Sequence, residues 1–264
     1  MANDETLWNG LARSLDYLES ARRILDKIGT TQSYPIGKAV ALCAERIARG
    51  GLIHLFGSGH SRMAVEEMFP RYGSFPGFHP IVELSLTNHH AVVGSNGQRQ
   101  AMFLENVEGL GQTIVSNFRF GPDDAMMLFS HSGTSCVVID IALEMRRLGL
   151  PVVAVTSLEH SRLSEPKHGS GHKLFELADI VIDNGAPAGD AMVRIEGLDV
   201  PVGPGSTIGN TAIVNMIKCG VAQRLVELGR PPSVIASELV AGRERSKRLF
   251  EAAYDEFRES TRRL

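Results

Sequence analysis

Along residues 6–28 the apolar positions Leu7, Leu11, Leu15, Leu18, Ala21, Leu25 and Ile28 recur at steps of three and four, which predicts an amphipathic helix. Residues 36–50 repeat the pattern with Ala39, Val40, Cys43, Ala44 and Ile47, so the chain is expected to begin with a helical hairpin. From Gly51 the period changes. Short aliphatic or β-branched runs (LIHLF, IVELSL, AMMLF, PVVAV and DIVID) alternate with helical or loop stretches, the order of an open parallel sheet. Several of these runs are apolar throughout, which suits strands buried on both faces. After Asp183 the Gly- and Pro-rich stretch NGAPAGDAMVRIEGLDVPVGPGS predicts an edge strand or a hairpin. A helix over 207–228 follows, apolar at Ile208, Ala212, Ile213, Met216, Ile217, Gly220, Val221 and Leu225, and Gly229, Pro231 and Pro232 end it. The last helix, 237–264, carries seven basic and six acidic residues and one narrow apolar face of Leu249, Ala253, Tyr254 and Phe257. Such a helix packs on its own domain or on a partner subunit. The expected division is a helical extension over 1–50, an α/β domain over 51–236 and the charged helix over 237–264.

Of the 264 residues 43% are hydrophobic and 22% charged, enough for a large core and against wholesale disorder. Basic residues number 27 and acidic ones 30, a net charge of −3 that offers no footprint for nucleic acid. The opening MANDETLWNG has neither the basic flank nor the apolar core of a signal peptide, and no apolar run is long enough to span a bilayer. A cytoplasmic protein with no membrane partner is expected. Cys43, Cys136 and Cys219 are an odd, widely spaced set without CxxC spacing, which suggests neither disulfides nor zinc. No metal or other cofactor is expected.

Two places join an apolar strand to a Gly- and Ser-rich turn and then to a helix. In the first, LIHLF leads into Gly57-Ser58-Gly59-His60-Ser61-Arg62 and a helix through Tyr72; in the second, AMMLF leads into Ser130-His131-Ser132-Gly133-Thr134-Ser135 and a helix to Leu148. Glycines let the backbone approach a ligand, hydroxyl and amide groups donate hydrogen bonds, and the helix start adds partial positive charge, so both turns suit phosphate. In the second, four hydroxyls surround one glycine, more than a turn requires. The GxxxxGK[ST] spacing is absent, as is GxGxxG with an acidic residue about 20 positions on, which disfavours nucleoside triphosphates and NAD.

SHSGTSCVVIDIALEMRRLGLPVVAVTS resembles the core signature of SIS (sugar isomerase) domains, and GSGHSRMAVEEMFPRYG is similar to their earlier loop and helix. The resemblance runs from about Gly51 to Leu228. It implies a three-layer α/β fold with a central parallel sheet flanked by helices, and a homodimer or homotetramer with sites near subunit boundaries. It also implies that Ser130, Ser132, Thr134 and Ser135 hold the phosphate of a sugar phosphate, with Ser58, Gly59, Ser61 and His131 on the sugar side. Ser206 and Thr207 resemble a later loop that closes over the ligand; the plainer reading is N-capping of the following helix.

In an open-chain aldose phosphate the C2 hydrogen is acidified by the C1 carbonyl, and a carboxylate can remove it. VEEMFPRYG resembles the segment in which phosphoheptose isomerases carry a catalytic glutamate, at Glu66, and the helix of N-acetylmuramic acid 6-phosphate etherases, whose acid falls on Glu67. Adjacent helix positions point about 100° apart, so one of the two can face the sugar, and Glu67 is favoured. MFLENVEGLG resembles the etherase segment with a second acid, at Glu105 or Glu108, and Glu83 within IVELSL is a further candidate. Two carboxylates could divide proton removal at C2 from protonation of a leaving group at C3.

Phosphoheptose isomerases bring a histidine from the late helix, but here NTAIVNMIKCG places Asn215 and Lys218 there. His60, His131, His89 and His90 are the compensating candidates for ring opening or proton relay. His160, His168 and His172 fall in a segment whose Gly169 and Gly171 argue against a helical metal site and for a mobile loop. The expected function is C2-proton removal from an (N-acetyl)hexosamine 6-phosphate followed by elimination, as in a dehydratase or etherase-like lyase. The alternatives are an aldose–ketose isomerase and a non-catalytic sugar-phosphate sensor.

Overall fold

The chain opens with α1 (Asp4–Thr31) and α2 (Ser33–Ala48), separated by Gln32 alone, in a computed structural model that describes residues 4–87 and 98–264. Their inner faces bury Ile24 and Ile28 from α1 and Ile36, Ala39, Cys43 and Ala44 from α2, while Leu11, Leu15, Leu18 and Leu25 leave the outer face of α1 exposed.

β1 (Ile53–Gly57) is the first strand, and α3 (Arg62–Met68) follows its loop. The helix predicted to reach Tyr72 stops at Met68, because Pro70 forces Phe69 out of the helical region, to φ −59° and ψ 147°. The run IVELSL is not a strand. β2 (Phe78–Ile81) ends where that run begins, and α4 (Leu84–Thr87) takes its second half. Glu83 explains the switch: its Oε1 accepts the backbone N–H of Ser85 at 3.0 Å and the Ser85 hydroxyl at 2.8 Å, a cap that starts the turn.

Helices α5 (Gln98–Leu104) and α6 (Leu110–Val115) lead to β3 (Ala125–Phe129), then α7 (Cys136–Arg147), β4 (Val152–Thr156), α8 (Leu158–Leu163), α9 (Leu174–Leu177) and β5 (Ile180–Asp183). The five strands form one sheet in the order β2-β1-β3-β4-β5. All pairs are parallel, with Ile53 opposite Phe78 and Ala125, Met127 opposite Val153 and Val155 opposite Ile182. Alternate residues feed two cores. Ile53, Leu55, Met127, Phe129, Val153 and Val155 meet α2, α3 and the late helix, while Phe56, Met126, Leu128, Val152 and Ala154 meet α6 and α7.

The stretch after Asp183 supplies the expected hairpin, in which β6 (Ala191–Val193) pairs antiparallel with β7 (Val202–Pro204). α10 (Ser206–Glu227) buries Ile213, Val214, Ile217, Val221 and Leu225, and stops at Gly229, whose φ of 71° suits the left-handed residue that closes a helix. α1 and α2 lie mainly on α10 rather than on each other, so the predicted hairpin is two successive helices laid across a third. The charged tail is not one helix. α11 (Glu238–Ala241) and α12 (Arg243–Thr261) are divided at Gly242, which has φ 74°. Ala253 is buried, and Phe257 meets Phe69 edge to face at 5.5 Å. Among the described residues no helix is long and apolar enough to cross a membrane.

Candidate active site

β1 and β3 are neighbours whose following helices leave to opposite sides, α3 into one core and α7 into the other. Divergence of that kind opens a crevice at the carboxyl ends of the strands, where α/β sheets bind ligands. Both Gly- and Ser-rich turns lie there. A cleft of about 280 Å³ is lined by Ser58, Gly59, His60 and Ser61 from the first turn and by Ser130, His131, Ser132 and Ser135 from the second. Leu86, Gln98, Ala101, Met102 and Glu105 complete its wall.

Local backbone demands explain the glycines. A Cβ on Gly57 would come within 2.8 Å of the Ser61 carbonyl oxygen, and Gly133 has φ 62°. The second turn is held from behind: the His131 carbonyl accepts the Ser157 N–H at 3.1 Å and the Thr156 hydroxyl at 3.2 Å. Within it, Ser130 Oγ accepts the Gly133 N–H at 3.1 Å, and the Thr134 hydroxyl donates to Ser132 Oγ at 3.1 Å. Thr134 is therefore a buried brace and does not line the cleft, whereas Ser130, Ser132 and Ser135 do. The start of the 12-residue helix α7 directs partial positive charge into the same space.

The carboxylates separate by position. Glu105 lines the cleft, and its Oε2 accepts the Ser58 hydroxyl at 2.9 Å. Its backbone is anchored too, since its carbonyl accepts the Val137 N–H in the first turn of α7 at 3.0 Å. Among the described lining residues it is the one carboxylate. Glu66 is exposed and paired with Arg62 at 2.6 Å. Glu67 faces α10, where its Oε1 accepts Asn215 Nδ2 at 3.1 Å and lies 3.6 Å from Lys218 Nζ, while Oε2 meets Arg71 at 2.7 Å. Burial alone would raise its pKa, but the hydrogen bonds from Asn215 and Arg71 and the charge of Lys218 prevail and leave it below the usual glutamate value. Glu108 is turned to the Gly169 N–H at 2.7 Å, and Glu83 caps α4. Neither lines the cleft.

Ser206 and Thr207 open α10 outside the cleft lining, and the Ser206 hydroxyl donates to Asp190 Oδ2 at 2.8 Å. His89 and His90 lie outside the described residues. The loop holding His168 is tied down rather than loose: Nε2 meets Asp140 at 3.1 Å and Nδ1 meets Ser170 at 2.8 Å. His172 lies 3.7 Å from Glu176, and among the described residues no cluster suits a metal. The sequence reading missed Gln98 and the apolar wall of Leu86, Ala101 and Met102, whose side chains carry no pattern that sets them apart from core residues.

Residues 16–157 match the family model for the SIS domain. A UPF0309 protein of Halalkalibacterium halodurans is 34% identical over 227 residues, covering 86% of this chain and 91% of the relative. A UPF0309 protein of Geobacillus kaustophilus is 31% identical over 240 residues, covering 91% and 93%. In fold, the chain is similar to a phosphoheptose isomerase from Francisella tularensis, with TM-score 0.53 at 16% identity over 81% of this chain and 98% of that one. The sheet order, the paired hydroxyl turns and these matches agree: the chain belongs to the SIS domain family and stands among the UPF0309 proteins.

Proposed function

We propose that this protein is an aldose–ketose isomerase acting on a sugar phosphate, with the phosphate held by the turn 130–135 and Glu105 as the base at C2. The observation that carries this reading is a carboxylate, oriented by Ser58 and the one acid among the described lining residues, in the same cleft as the hydroxyl-rich turn. In the open-chain sugar, Glu105 takes the C2 proton, the C2–H electron pair forms the C1–C2 double bond, and the C1 carbonyl pair moves to O1. The protonated Glu105 then returns the proton to C1 while the O2–H proton passes to O1, so that C2 becomes the carbonyl and O1 the hydroxyl of the ketose. One carboxylate suffices for both transfers. Elimination of a C3 substituent calls for a second acid near C3, and Glu108, the nearest candidate in sequence, is committed to Gly169 outside the cleft. That geometry favours isomerisation over the lyase chemistry expected from the segment around Glu105 and Glu108. The phosphate would be bound without Lys or Arg among the described lining residues, by hydroxyls, backbone N–H groups and the α7 N-terminus.

The test is proton NMR in heavy water on a panel of pentose, hexose, N-acetylhexosamine and heptose phosphates. Wild type is expected to place deuterium at C2 of at least one and to form its ketose. Glu105→Gln should lower that rate by about 100-fold or more, Glu67→Gln should retain it, and Ser132→Ala should weaken binding about tenfold, or ~1.4 kcal/mol. Binding of a phosphosugar with no exchange at C2 would make the protein a sensor and overturn the proposal.

A further inference from the structure

Loop 164–173, between α8 and α9, lines no part of the cleft, yet it is bonded to both halves of the site. Where it joins α9 the Leu174 N–H donates to the Gly133 carbonyl at 2.8 Å, which ties it to the hydroxyl-rich turn. Before that it grips the segment that carries Glu105. The Gly169 N–H donates to Glu108 Oε1 at 2.7 Å, an approach so close that a Cβ on Gly169 would stand 3.2 Å from both carboxylate oxygens. His168 is set deeper, with its side chain 11% exposed. Its Nδ1 accepts the Ser170 N–H at 3.0 Å, so the ring proton sits on Nε2 and is donated to Asp140 Oδ1 at 3.1 Å. The other oxygen of Asp140 accepts the Gly111 N–H at 3.0 Å. Glycine allows this, because a Cβ at 111 would lie 2.2 Å from the Val137 carbonyl oxygen. A chain of hydrogen bonds thus runs from the loop through α7 to the start of α6, around a buried carboxylate, where such bonds are strongest.

We infer that His168 is a positioning residue for Glu105: through Asp140 it locks residues 105–111 against α7, and loop 164–173 thereby fixes Glu105 relative to the phosphate turn. Local structure creates the need for a lock. Glu105 follows the last residue of α5, a helix of seven residues, and residues 105–109 link it to α6, which has six. Helices so short do not hold their place without tertiary partners. Ser58 and the Val137 N–H fix Glu105 itself, and the rest of the link depends on Gly169 and Asp140. Removing the imidazole takes one anchor from the loop and one partner from Asp140, while the phosphate turn keeps its bonds to Ser157, Thr156 and Leu174. Base and phosphate should then separate in function, with proton removal depending on His168 and the hold on phosphate independent of it. The role rests on Glu105 being the base, but the lock on residues 105–111 can be measured without turnover, so the two can fail separately.

Two measurements on the full chain decide it: amide hydrogen exchange read by mass spectrometry, and the rate of deuterium entry at C2 of the sugar phosphate that wild type turns over. His168→Ala should quicken amide exchange across 105–111 about fivefold to tenfold, as loss of one buried hydrogen bond implies, and leave exchange in β3 and β4 as in wild type. Its kcat should fall about tenfold to 100-fold while KM stays within about twofold of wild type. His168→Gln, whose amide can donate to Asp140 from the place of Nε2, should recover most of both, which general destabilisation would not allow. Unchanged exchange across 105–111 in His168→Ala overturns the inference, as does a kcat equal to that of wild type or a loss that falls on KM instead. If wild type deuterates no sugar phosphate while His168→Ala still loosens 105–111, the isomerase reading falls and the lock stands.

Discussion

Asp190 holds a left-handed backbone, φ 69°, the one non-glycine among the described residues with a positive φ. Its side chain accounts for this. Oδ1 accepts the N–H groups of Gly205 and Ser206 at 3.0 and 2.7 Å, and Oδ2 accepts the Ser206 hydroxyl, so Asp190 caps α10 from 16 residues away. Asp190→Ala is expected to cost about 1 to 2 kcal/mol, a fall of roughly 3 to 6 °C in Tm, while Asp190→Asn, which keeps the acceptor and tolerates the backbone, should lose less than half of that. Calorimetry of the two variants reads the difference; equal losses would mean that the cap contributes nothing. The same residue shows where sequence reading ran out at the site. The hydroxyls of the two turns were legible because small polar residues crowd one glycine directly after an apolar strand. Ser206 stayed open between ligand contact and helix cap because the acid that occupies its hydroxyl lies on the far side of the β6–β7 hairpin. His160 against His131 was hidden for the same reason: contacts between residues far apart in sequence leave no periodic trace in the chain.

Elements were most legible where burial is two-sided. The runs around β3 and β4 are apolar without interruption, those around β1 and β5 carry only His54 and the flanking Asp179 and Asp183 besides, and each strand lies within a residue of its run. IVELSL misled because it is equally apolar while its Glu83 starts a helical turn. Packing between α3 and α10 belongs to this scale too. Lys218 Nζ donates to the Glu67 carbonyl at 2.9 Å, and Asn215 and Arg71 hold the carboxylate. A carboxylate whose folded pKa is depressed adds stability above its unfolded pKa, and that share is lost as pH falls through the folded value. Glu67→Gln is therefore expected to lower stability by about 1 kcal/mol at neutral pH, and the gap in Tm between it and wild type should close as pH is lowered below the ordinary glutamate range. A gap that stays constant down to pH 3 would show that the joint does not depend on ionised Glu67.

For the whole molecule, the chain closes on itself at the amino ends of the strands, away from the cleft. Asp124, fully buried just before β3, accepts the N–H groups of Leu52 and Gly121 at 2.8 and 2.7 Å, meets His54 Nε2 at 3.1 Å and is paired with Arg263, next to the last residue. His54 Nδ1 in turn lies 3.0 Å from His79 Nδ1 on the edge strand, where Phe118 and Phe120 surround the two rings. Burial and the neighbouring His54 push His79 down to about 4, against the pull of Asp124. Burial opposes ionisation of Asp124, but its hydrogen bonds with His54, Gly121 and Leu52 take it down to about 2. Both shifts act in one direction. Below the ordinary histidine pKa the unfolded chain takes up a proton at His79 that the folded protein refuses until about pH 4, so folded stability declines across that interval. Below the ordinary aspartate pKa the same holds for Asp124 until about pH 2. Thermal unfolding followed from pH 7.5 to 3 is thus expected to show a decline that begins near pH 6.5, ahead of carboxylate protonation. His79→Gln, which cannot titrate, should flatten the portion between about pH 6.5 and 4 and leave the more acidic portion, set by Asp124 and the other carboxylates, in place. Arg263→Ala should lower stability at every pH, by about 2 to 3 kcal/mol, because it leaves a buried carboxylate short of its cation. If the His79→Gln curve follows wild type through the upper interval, the edge-strand histidine is not held neutral, and the acid sensitivity of the fold lies in its carboxylates alone.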